Sequence, residues 1–178
     1  AVHVGTPSQF PLPPYLANII VTQQLTPTVE LVRHVFHALR PYGGAAYFSG
    51  DSTETHVRRI IEQLDDPQAQ LEHHHTHFVL RRPGRLADAD DWTHQYANAA
   101  QTVFSNERRV KAPLGVLWFG GQSNKDVLPR HGHGPSPQVA AGRLIIEGVN
   151  MLRAVDVYTG RLLWQKSLPG VGKYYNTT

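Results

Sequence analysis

Gly142–Gly170, GRLIIEGVNMLRAVDVYTGRLLWQKSLPG, is the stretch from which the rest of the chain is read. Two β-rich runs, RLIIE and MLRAVDV, lead into the turn YTG, and a third run, RLLWQKSL, leaves it. Ala154, Asp156, Thr159, Gly160 and Trp164 form the heart of the pattern. Asp156 and Thr159 carry side-chain oxygens that can accept from turn amides. Gly160 supplies a positive-φ position without steric cost. Trp164 is a large apolar plate with a single donor that needs a partner. Strand, polar turn and Trp-bearing strand make a hairpin that cannot bury its face alone and needs neighbours of the same kind.

The spacing A-x-D-x-x-T-G-x-x-x-W, from Ala154 to Trp164, resembles the repeat of β-propellers related to pyrroloquinoline quinone (PQQ) enzymes. The resemblance implies one four-stranded blade over 136–168, with strands near 137–140, 143–147, 151–157 and 161–167. It also implies an exported or periplasmic full-length protein. That signature is shared by catalytic quinoproteins, which hold PQQ and a metal ion, and by non-catalytic scaffold propellers, so it speaks to fold before activity.

Upstream, alternation of strand and helix patterns predicts an α/β segment over 1–82. Tyr15–Thr22, YLANIIVT, has the length and apolarity of a buried parallel strand. Val29, Val32, Val35, Phe36 and Leu39 recur at helical spacing behind Thr28, a natural N-cap, and the helix should stop before Pro41. AAYFSG is the next strand, Thr53–Leu64 a second amphipathic helix and His75–Arg82 a last strand.

Leu39–Phe48, LRPYGGAAYF, is similar to the helix-to-strand junction of class I S-adenosylmethionine (SAM) methyltransferases. That resemblance implies the C-terminal half of a Rossmann-like methyltransferase domain, with Gly5, Thr6, Val21 and Thr22 facing the SAM cleft at the strands' carboxyl ends. The fold class expected for the whole chain is therefore α/β followed by all-β propeller blade or blades. Residues 83–92 read as a linker and 93–178 as the start of the propeller.

Asp91–Val110 resembles the lead-in to the first strand of such propellers, with Trp92, His94 and Tyr96 close together as a packing strip or, alternatively, a ligand-facing rim. Pro113–Gly121, PLGVLWFGG, is expected to be a strand. Its Trp118 precedes Trp164 by 46 residues, close to a blade period of about 40–50. Gln122–Pro137 is a polar loop in which Arg130, His131 and His133 could meet an anion, a metal or a proton. In EHHHTHF, His75 and His77 on one strand face could join Glu72 at a metal, or be incidental to an exposed edge. No third ligand is fixed, so no metal site is assigned, and no catalytic set is recognised.

A net charge of +3 is too small to imply nucleic acid. No apolar run reaches the ~20 residues of a membrane span. There are no cysteines, hence no thiolate site. The start AVHVGTPSQF reads as the middle of a domain, so the expectation is a fragment of a two-module protein, inactive alone and marginal in stability. Its partners would be the missing parts of its own chain, or other proteins met through the propeller. Three functions stay open: methyl transfer with SAM, PQQ-dependent oxidation, and a non-catalytic scaffold.

Overall fold

Thr28 and Thr53 each start a helix in the same way. Their hydroxyls accept from the amides of Leu31 and His56, at 3.2 and 3.3 Å, which satisfies one of the free donors of a first turn. The helices are α1 (Val29–Ala38) and α2 (Glu54–Glu62). Leu39 ends α1 in an extended conformation ahead of Pro41. The chain then turns so tightly that a Cβ on Gly44 would lie 2.8 Å from the Arg40 amide nitrogen, which requires glycine there.

A computed structural model of the chain describes residues 4–6, 8–10, 12–23, 26–49, 53–121, 123, 126–128 and 134–174. It divides into two compact units, 1–86 and 87–178. In the first, β1 (Ile19–Thr22), β2 (Gly44–Ser49), β3 (Gln70–His74) and β4 (His77–Arg82) form one sheet in the order β1-β2-β4-β3. Only β1 and β2 run parallel; β2 with β4 and β3 with β4 are antiparallel. Ala46 lies opposite Leu80 and Phe48 opposite Phe78. These four pack with Val32, Val35 and Phe36 of α1 and with Val57 and Ile60 of α2 in a single core.

The Rossmann-like α/β expectation is corrected by this arrangement. A parallel α/β sheet carries helices on both faces. Here both helices serve the face of Ala46 and Phe48, and on the other face Ile19 and Val21 are 65% and 67% exposed. The last strands are joined by the two-residue turn His75-Thr76, which can link only antiparallel neighbours.

The second unit holds β5 (Gln138–Ala140), β6 (Arg143–Gly148), β7 (Met151–Asp156) and β8 (Leu162–Ser167) as an antiparallel meander. Each strand end lies within one residue of its expected place. The all-β propeller expectation is nonetheless corrected: the unit is one open four-stranded sheet, and closure needs several such sheets around an axis. Pro113–Gly121 is not a strand. Among the described residues, no backbone hydrogen bond is made by that segment.

Candidate functional site

The turn between β7 and β8 is the most completely specified local structure in the second unit. Asp156 is fully buried, and its carboxylate accepts from the amides of Tyr158 and Thr159 at 2.9 and 3.2 Å. The Gly160 amide closes the loop onto the Asp156 carbonyl at 2.8 Å, and the Arg161 amide donates to the Thr159 hydroxyl at 3.4 Å. Gly160 has φ +68°, the left-handed conformation anticipated for it.

Over this turn lies Trp118. Its indole N–H donates to the Val157 carbonyl at 2.8 Å, across 39 residues of chain. Its ring covers Gly160 so closely that a Cβ there would sit 2.7 Å from Trp118 Cδ2. Glycine is thus needed twice, for its φ and for the ring resting on it. Among the described residues, no other hydrogen bond holds Pro113–Gly121, whose Val116, Leu117 and Phe119 are exposed. Trp164 lies 46 residues further on, in β8, opposite Ala154. It is 41% exposed, and among the described residues its indole N–H has no partner.

The lead-in to this sheet is organised by two carboxylates. Asp90 accepts from the amides of Asn106 and Asp91 at 2.7 and 2.9 Å, while its own amide donates to Glu107 at 2.9 Å. The Asn106 amide, followed by that of Asp91, holds the Asp90 carboxyl below its ordinary range. Trp92 exchanges backbone hydrogen bonds with Val139 at 3.0 and 2.8 Å, so the lead-in is stitched to β5, and its indole donates to the Gln95 carbonyl. Neither carboxylate was singled out by sequence reading, because nothing local marks a reciprocal pair 17 residues apart.

The residues assigned to a cofactor lie as follows. Gly5 and Thr6 are in an exposed irregular segment. Val21 is exposed on β1. Thr22, beside it, is buried, with its hydroxyl donating to the Tyr47 carbonyl at 3.2 Å. Two shallow grooves of this unit run along α2 and share Arg58 and Glu62; none of the four residues lines them.

The histidine group is split by the hairpin. His75 is in the turn and His77 begins β4, so they do not share a strand face. His73 meets Glu54 at 2.9 Å and stacks on Phe78 at 4.6 Å between centroids; His74 stacks on His77 at 4.9 Å. Glu72 is bound by Arg81 at 2.7 Å. Among the described residues, no three His, Asp or Glu side chains are placed to share a metal ion. Arg130, His131 and His133 lie outside the described residues. No helix of the described residues is long and apolar enough to cross a membrane.

Comparison with protein-family models, with curated proteins and with solved structures gives no match.

Proposed function

We propose that the chain is an interaction scaffold whose second unit stacks against other β-sheets of its own pattern through tryptophan-on-turn contacts. One observation carries this reading. Trp118 is seated on the Val157–Gly160 turn by ring contact and a hydrogen bond, while Trp164, 46 residues on, has its ring half-exposed and, among the described residues, no partner for its donor. A large, half-exposed aromatic plate whose donor has no protein partner among the described residues is the feature that a receiving turn rewards, apolar area and one directional bond together. The receiver is therefore a turn of D-x-x-T-G type that is not already capped.

The W118A variant of this chain provides such a receiver, because it uncovers the Val157–Gly160 turn. Labelled wild-type chain should bind folded W118A in sedimentation or anisotropy titrations more tightly than it binds wild type. A W164A donor should bind at least about tenfold more weakly, a loss of about 1.4 kcal/mol. Equal binding of all pairs would remove the reading.

A further inference from the structure

We propose that Arg108–Phe119 is a loop that docks on an anionic lipid bilayer, its apolar side chains entering the interface and its basic ones meeting the headgroups. The proposal does not rest on the tryptophan-stacking reading. It concerns a surface of the second unit that this reading leaves in water.

The loop is fixed at both ends. At its start the Glu107 carboxylate accepts from the amides of Asp90, Arg109 and Val110 at 2.9, 2.6 and 3.1 Å. The Arg108 amide donates to the Asp88 carbonyl at 2.9 Å. At its end Trp118 is seated on the Val157–Gly160 turn. Between these anchors the chain bends at Ala112, Pro113 and Leu117, and beyond them Gly120 and Gly121 take φ +95° and +99°. The apolar side chains of this irregular loop project into water: Val110, Leu114 and Val116 are 69%, 75% and 80% exposed, and Phe119 is 93% exposed. Large apolar residues gathered in this way on one exposed loop mark a contact surface.

Charge and backbone select what is contacted. From Arg108 to Lys125 the sequence holds Arg108, Arg109, Lys111 and Lys125 and no acidic residue. Residues 87–178, with ten basic and seven acidic side chains, carry the whole net charge of +3, because residues 1–86 have seven of each. Arg108 and Lys111 are exposed beside the apolar side chains; Arg109 is exposed too, and donates to the Ala87 carbonyl at 3.4 Å. Glu107, the acid nearest in sequence, is turned onto backbone amides. A protein pocket that buried Pro113–Gly121 would have to supply partners for its backbone, which makes no backbone hydrogen bond among the described residues. A bilayer interface makes no such demand. Headgroup water keeps the backbone solvated while apolar side chains reach about 5–10 Å into the boundary with the acyl chains. Each Arg or Lys near an anionic leaflet adds an attraction that fades within a Debye length.

The test uses the full chain with vesicles of phosphatidylcholine, alone or mixed with phosphatidylglycerol. In flotation the chain should bind the mixed vesicles at least about tenfold more tightly than the neutral ones, and added salt should shrink the difference. The double variants V116S/F119S and R108Q/K111Q should each weaken binding to mixed vesicles about tenfold or more. All four side chains are exposed, so both variants should keep the circular dichroism of the original chain. In an F119W chain, mixed vesicles should shift the added fluorescence to the blue, and brominated acyl chains should quench it. Absence of vesicle binding overturns the inference, as does equal binding to neutral and mixed vesicles. Binding that V116S/F119S leaves intact is adsorption by charge alone and overturns it too. Self-association that F119S abolishes, without vesicle binding, would give the loop to a second copy of the chain and likewise overturn it.

Discussion

At Gly160 two constraints meet, and they can be separated. The residue has φ +68°, and the Trp118 ring occupies the space that a side chain would take. Alanine there costs about 1–2 kcal/mol for the left-handed backbone alone, and more for displacing the ring. Truncating Trp118 removes an apolar plate and one hydrogen bond, about 2–3 kcal/mol together. With the indole gone, G160A should cost only its backbone part. A double-mutant cycle in urea, followed by circular dichroism, should show coupling of about 1 kcal/mol or more. Strict additivity would mean that the ring does not rest on the turn. The roles of Asp156, Thr159 and Gly160 were legible in the sequence because each acts within five residues of the others. The seat of Trp118 was not, because its acceptor is 39 residues away.

At the scale of elements, the carboxylates of the lead-in, of the first turn of α2 and of the β3–β4 hairpin set a pH dependence. The Asn106 and Asp91 amides hold Asp90 low; the Arg58 guanidinium, then His73, does so for Glu54; the Arg81 guanidinium does so for Glu72. A carboxyl depressed in the folded state stabilises fully above its unfolded value, and that contribution fades as pH falls through the lower folded one. Below the ordinary carboxylate range, the Asn106 amide should therefore lose protection in pH-corrected hydrogen exchange. D90N should show that loosening already at neutral pH; an Asn106 amide equally protected in D90N would refute the role given to Asp90. The helices and β5 to β8 could be read from their apolar periods and turn residues. β3 could not, since Gln70–His74 is polar and lies at the sheet's edge. Pro113–Gly121 misled in the opposite sense: its residues favour a strand, but a strand exists only where a neighbour accepts its hydrogen bonds.

For the whole molecule, alternating strand and helix patterns conveyed which segments are helical and which extended, but not on which face the helices lie. Val32, Val35 and Phe36 of α1 and Val57 and Ile60 of α2 mark apolar stripes without saying that both stripes meet the face of Ala46 and Phe48. That shared face gives the first unit its own core. The second unit is organised separately, around Asp156, Ala154 and Val155, all fully buried. Leu80 is fully buried against the helices, so L80A should destabilise the first unit by about 2–5 kcal/mol. Asp156 satisfies two turn amides, so D156A should cost the second unit about 1–3 kcal/mol. Leu80 and Asp156 belong to different units, so the two effects should be additive to about 0.5 kcal/mol. Exchange-detected unfolding in urea, read separately over 29–82 and 138–167, measures both transitions in one experiment. L80A should move only the first and D156A only the second. If either substitution shifts both transitions equally, the chain unfolds as one cooperative body, and the stability of the sheet that carries Trp164 is set by the helices of the first unit as well as by its own turn.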